Sequence, residues 1–223
     1  MALISNLILA AAGILPIAVG HPKGSCALNA LASPYTLTAY LPGNAKYDGL
    51  KAQYGEALNL FQEKVAQYCP LKPQSSCPNG TDTVFAGSLY PLSEVPGGQD
   101  LYVSATGSIL ITVQHSHSIP PGSYWEYQGW SWTALPAKTP HCSTYPRYNP
   151  LYNCDPPTGY FTFRAPDAPT GSKGGVMACS NEYNANVTSL YAVTPSFNRT
   201  GCVELVGLGT HNYIGVSPPV WSY

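Results

Sequence analysis

Gln99-Asp100-Leu101-Tyr102-Val103-Ser104-Ala105-Thr106-Gly107-Ser108-Ile109-Leu110-Ile111-Thr112-Val113-Gln114-His115 reads as a β-hairpin. Leu101 and Val103 alternate, Ala105-Thr106-Gly107-Ser108 supplies turn residues, and Ile109, Ile111 and Val113 alternate again. A period of two places each apolar set on one face of a sheet. Outward from this hairpin, strand-like stretches recur at Thr83 to Ala86, Tyr124 to Thr133, Gly159 to Arg164, Val176 to Cys179, Val187 to Val193 and Val203 to Leu208. Short strands punctuated by 22 prolines and 21 glycines predict an all-β sandwich or barrel, with a trefoil among the options.

One segment dissents. Between Lys46 and Tyr68, the residues Leu50, Tyr54, Ala57, Leu58, Phe61 and Val65 fall at helical spacings, with Glu56, Glu63 and Lys64 off that stripe. Periodicity alone predicts a short helix there.

The first residues fix the compartment. An apolar run from Leu3 to Val19 ends in Ala18-Val19-Gly20, a small-x-small pattern of the kind a signal peptidase cuts after. The segment before it lacks the Lys or Arg of an ordinary signal, and a membrane anchor is the rival reading. Pro16 interrupts the run, whose length is near the lower limit of a bilayer span of about 20 residues, so export is the better account. The chain then divides into a signal peptide at 1–20, an N-terminal leader at 21–32 and a β-rich domain at 33–223. Within that domain, the stretch from Pro136 to Pro157 is dense in Pro, Tyr and Asn without apolar periodicity, which predicts an inserted loop.

Export makes the cysteines candidate disulfides. Near neighbours suggest Cys69 with Cys77, Cys142 with Cys154 and Cys179 with Cys202, although six cysteines allow many connectivities, and Cys26 is left over. No Cys-x-x-Cys occurs to support a zinc or thioredoxin-like site. Only 9% of residues are charged against 44% hydrophobic, and the net charge is −1. Nothing in that balance steers the chain to nucleic acid or acidic lipid, and no second apolar stretch spans a membrane once the signal is removed. Sequons at Asn79, Asn186 and Asn198 offer glycan acceptors that would help keep such a chain dissolved.

Several blocks resemble a known family. Ser33-Pro34-Tyr35-Thr36-Leu37-Thr38-Ala39, Pro42-Gly43 and Asp48-Gly49-Leu50-Lys51 open the likeness, and Tyr68-Cys69-Pro70 and Cys77-Pro78-Asn79-Gly80 continue it. Glu94-Val95-Pro96-Gly97-Gly98-Gln99-Asp100-Leu101-Tyr102-Val103, Thr106-Gly107 and His115-Ser116-His117-Ser118-Ile119-Pro120-Pro121-Gly122-Ser123 follow in the same order, then Met177-Ala178-Cys179 and Gly201-Cys202. The chain is similar in these to small secreted fungal proteins described as IgE-binding or allergen-like and related to PhiA-type cell-wall proteins. The resemblance implies a mostly β, extracellular or wall-associated protein with no catalytic machinery. It also implies strands after Asp48-Gly49-Leu50, against the helical periodicity. The Pro136 to Pro157 insertion departs from the family.

The residues themselves offer little chemistry. There is no Gly-x-Ser-x-Gly elbow, and Gly207-x-Gly209 lacks the third glycine of a nucleotide loop. Glu94, Asp100, Glu126 and Asp155 are candidate glycosidase acids, but a chain of this size always offers such pairs. Cleavage after Gly20 would leave His21 as first residue, and His115 with His117, on one face of a strand end, could complete a copper site as in secreted monooxygenases. A loose leader and a solvated histidine pair account for the same residues more simply. No cofactor is therefore expected.

Aromatics suggest a binding face. Trp125 and Tyr127 share one strand face and Trp130 and Trp132 the other, unless a bulge at Gln128-Gly129 turns them together into a platform for pyranose rings. Tyr145, Tyr148 and Tyr152 in the insertion could extend it. Large aromatics in β domains are more often core, so a platform must compete with that reading. The expected protein is a non-catalytic, secreted wall or extracellular component, with cell-wall polysaccharide as candidate partner. A carbohydrate-binding or host-facing effector module is the alternative.

Overall fold

The structure is a computed structural model that describes residues 31, 33–136, 149–153, 155–181, 184 and 186–223. His21, Cys26, Cys142, Tyr145, Tyr148 and Cys154, with the proposed signal peptide, lie outside the described residues.

The hairpin forms as its alternation requires. β6 (Leu101–Val103) pairs with β7 (Ile109–Ile111) in the register Leu101↔Ile111, Tyr102↔Leu110 and Val103↔Ile109. Leu101, Val103, Ile109 and Ile111 are buried, while Tyr102 and Leu110 face outward. Gly107 closes the turn with φ +96°, and a side chain there would strike the carbonyl of Ala192, which explains the glycine twice over. β8 (Tyr124–Trp125) completes this three-stranded sheet on the far side of β6.

Two larger sheets enclose the core. β1 (Tyr35–Tyr40) pairs along its whole length with β14 (Gly207–Asn212), so the first and last long strands lie side by side. This six-stranded sheet continues through β4 (Phe85–Ala86) and β5 (Tyr90–Pro91) on one side, and β10 (Gly159–Phe163) and β9 (Trp130–Ala134) on the other. The five-stranded sheet runs β13 (Val203–Leu205), β11 (Val176–Ser180), β12 (Thr188–Ala192), β3 (Leu58–Leu60) and β2 (Gln53–Tyr54). The sheets curl into a half-barrel. Tyr35, Phe85, Phe161, Phe163, Leu37, Leu190 and Leu208 meet inside it.

Residues 46–68 contain no helix, which corrects the periodic reading in favour of the strands that the resemblance implies. Glycine is a poor helix former, and Gly49 sits at φ +80° while Gly55 closes the turn between β2 and β3. Leu58 and Leu60 then point to the core at strand spacing, and β3 finds a partner in β12. A single 3-10 turn at Gln74–Ser76 is the helical element among the described residues.

Two stretches that read as single strands are each divided between sheets. Val203 to Leu208 breaks at the exposed Val206, and Tyr124 to Thr133 breaks at Glu126–Gly129. Gly207 and Gly209 lie on β14, where side chains would strike Phe161 and Thr38, so their spacing serves close strand packing. Disulfides join Cys69 to Cys77 and Cys179 to Cys202. The second ties β11 to the segment entering β13.

Candidate functional site

The break between β8 and β9 decides what the aromatic cluster can do. Trp125 N–H donates to Gln128 Oε1 at 2.9 Å and Gln128 N–H donates to the Trp125 carbonyl at 2.8 Å, which closes a turn. Gly129 follows at φ +77°, pressed against the Arg164 carbonyl, and the chain leaves the three-stranded sheet for the six-stranded one. The four aromatics therefore do not form one platform. Trp130 is 7% exposed and packs edge-on against Phe161 and Phe163. Trp132 packs against the core and donates its indole N–H to Thr210 Oγ1 at 3.2 Å. Tyr152 bridges to Leu50, on a different part of the fold.

Trp125 and Tyr127 remain outside. Their rings are nearly parallel, 6° apart with centroids separated by 6.4 Å, and Tyr127 is 63% exposed. Trp125 lies directly opposite Tyr102, so these side chains share the outer face of the sheet, and Leu110 pairs with Tyr102 from the other side. The result is a strip of Leu110, Tyr102, Trp125 and Tyr127 on a rigid support. Sequence reading placed Trp125 and Tyr127 on one face correctly. It missed Tyr102, whose outward alternation in the hairpin was the available signal.

A polar cluster adjoins this strip. His117 Nδ1 and Asp100 Oδ2 form an ion pair at 2.5 Å, and the Asp100 carboxylate raises the imidazole above its usual pKa, mainly through that hydrogen bond. Glu126, half-buried, is raised chiefly by loss of solvent and then by the charge of Asp100, against the pull of His117 and a backbone hydrogen bond. Its Oε2 is buried without a hydrogen-bond partner. The Tyr90 hydroxyl is raised as well, by burial first and by these two carboxylates next. Gly98 sits at φ +74°, a conformation that favours glycine, with the Tyr90 hydroxyl beside it. Of the four acids singled out from sequence, Asp100 and Glu126 thus come into one electrostatic neighbourhood.

The Val-Pro-Gly-Gly-Gln block also has a structural task. Gln99 is fully buried; its amide donates to the carbonyls of Thr112 and Tyr223 and accepts the Tyr223 N–H at 2.8 Å. His115 and His117 do not share a face as expected. His115 adopts φ +59° in a turn and its ring meets Trp221, whereas His117 turns to Asp100. Among the described residues no group of three or more His, Cys, Asp or Glu is placed to hold a metal. The sequon residues Asn79, Asn186 and Asn198 are all exposed.

A concave feature lies on the five-stranded sheet. It is an open cleft of about 660 Å³ bordered by Asn59, Gln62, Asn181, Ser189, Tyr191 and Arg199, among others.

No family model matches the chain, and no solved structure matches it. An uncharacterized secreted protein of Arthroderma benhamiae is 31% identical over 209 residues, covering 88% of this chain and 93% of that protein. The chain belongs to its family. Coverage on that scale means the likeness runs through the fold as a whole and is not confined to one motif. The family member here is a secreted protein. Among the described residues no helix is long and apolar enough to cross a membrane.

Proposed function

We propose that this family member is a non-catalytic interaction protein of the fungal wall or its surroundings, holding neutral wall polysaccharide on the outer face of the three-stranded sheet. The observation that carries the reading is the parallel, solvent-facing pair Trp125 and Tyr127, flanked by Tyr102 on the same face. Pyranose rings present apolar C–H faces that stack on exposed aromatics, and a strip of rings on a sheet matches a repeating polymer better than a compact ligand. A strand support also fixes the rings at low entropic cost.

Two further features support it. The motif blocks resemble secreted IgE-binding, allergen-like and PhiA-type wall proteins, and the secreted relative from Arthroderma benhamiae agrees in compartment. The exposed sequons at Asn79, Asn186 and Asn198 suit a glycoprotein whose surface is poor in charge. An allergen-like character, on this account, is a consequence of exposure to a host and not the molecular role.

Alanine substitution tests the face directly. Trp125→Ala and Tyr127→Ala are expected to keep the wild-type melting transition and to weaken retention on the polysaccharide that the parent binds. Unchanged retention in the double variant would remove the strip from the account.

A further inference from the structure

The cleft on the five-stranded sheet is built from residues that the core does not need. Along β3 and β12, Leu58, Leu60, Leu190 and Ala192 point inward, while Asn59, Ser189 and Tyr191 occupy the opposite face. Asn59 and Ser189 sit in register across the two strands, and both are almost completely buried. Burying such groups costs free energy unless they are hydrogen-bonded, so their orientation is fixed by partners. Ser189 Oγ donates to Asn59 Oδ1 at 2.8 Å, Asn181 Nδ2 donates to Ser189 Oγ at 2.9 Å, and Asn59 Nδ2 donates to the Ala57 carbonyl at 3.0 Å. Gln62 is held in turn by the carbonyls of Tyr54 and Lys64.

The chemistry of this lining narrows the ligand. Amides and hydroxyls both donate and accept, and here they are locked before any ligand arrives. The two charged lining residues, Glu56 and Arg199, have opposite signs, so the cleft does not select a strongly charged molecule. Gly55, Ala57 and Ala66 keep it open, and its volume lies within the ordinary range for small-molecule sites. The guanidinium of Arg199 stands over the Tyr191 ring, 5.3 Å from its centroid, so recognition there rests on hydrogen bonds and not on stacking. An apolar ligand would find no use for the donors and acceptors that this internal network leaves over; a neutral polyol would meet them.

We propose that the cleft is a second saccharide-binding site, sharing no residue with the aromatic strip, and that the folded chain is therefore divalent. The site stands on its own geometry, while the bridging of two wall chains rests on the polysaccharide reading above. Two modest sites joined by a rigid fold hold a polymer network far more firmly than either alone.

Deglycosylated protein is titrated calorimetrically with chitotetraose and with laminaritetraose, since glycans at Asn186 or Asn198 would stand beside lining residues Val187 and Arg199. The background is Trp125→Ala/Tyr127→Ala, which removes the strip. One probe is expected to bind at one site per chain, and Ala66→Trp is expected to weaken it by about tenfold or more. Ala66 is exposed, so the indole fills the cleft without disturbing the core; Asn184→Trp, at another exposed lining position, is the second blocking variant. Failure of the background protein to bind either probe, or binding unmoved by both folded tryptophan variants, overturns the second site. Wild type is also expected to agglutinate polysaccharide particles, and the cleft-filled variant to bind them without agglutination. Equal agglutination by both would refute divalency even if the strip holds.

Discussion

Trp125 and Trp130 are five residues apart in sequence and do opposite work. Trp130 lies against Phe161 and Phe163 inside the half-barrel, so Trp130→Ala is expected to cost about 3–5 kcal/mol, read as a large loss of chemical or thermal stability. The Trp125→Ala change on the outer face should move the transition little. Glu126, between Trp125 and Tyr127, has its own signature. An acid whose pKa is raised by folding binds its proton more tightly in the folded state, so stability declines as pH rises from the usual carboxylate range through the folded value. Glu126→Gln removes that decline and is expected to raise the melting temperature at neutral pH relative to wild type, with little difference below the carboxylate range. A melting temperature lowered at neutral pH would contradict the burial of an unpaired Oε2. At this scale the sequence was informative where alternation was clean. Leu101, Val103, Ile109 and Ile111 could be assigned to the core on sight, whereas the fate of Trp130 depended on which sheet β9 would join.

Elements were harder to read than residues wherever the chain changes sheets. Val203 to Leu208 and Tyr124 to Thr133 each carry an uninterrupted β signal, because β-branched and aromatic residues favour any pleated, half-buried surface and do not specify a partner. The switch at Gly129 needs a positive φ and a close approach to Arg164, and one glycine among 21 does not announce that. The helical periodicity of residues 46–68 misleads for a related reason: apolar residues such as Tyr54 and Leu58, four apart, also fit two short strands joined through Gly55. Strand β1 escaped the pattern altogether. Thr36 and Thr38 look like solvent positions, yet both are buried because β1 is central in its sheet and covered on either face. The Cys179 to Cys202 pair was legible from proximity in sequence, and it staples β11 to the approach to β13. Replacing both cysteines with alanine is expected to cost about 3 kcal/mol, given the loop it closes in the unfolded chain. Denaturation under oxidising conditions measures it. A loss well below 1 kcal/mol would mean that the sheet holds β13 without the bond.

At the scale of the whole molecule, the β1 and β14 pairing joins the two ends of the described fold, and the Gln99 side chain fastens Tyr223 to the hairpin. Among the described residues the half-barrel presents outward surfaces that its core does not explain, the aromatic strip and the amide cleft among them. The strip was half visible from sequence through Trp125 and Tyr127. The cleft was invisible, because Asn59 and Ser189 are 130 residues apart and only strand pairing brings them together. Under the function proposed above, secretion, a surface of few charges and these two faces suit an extracellular protein that holds something uncharged. The direct test is a depletion isotherm: deglycosylated protein is mixed with insoluble chitin, β-glucan and cellulose, beside a charge-matched inert protein, and the unbound fraction is measured. Saturable depletion by one of the three, absent for the control, is the predicted result; no saturable depletion by any of them would contradict the account.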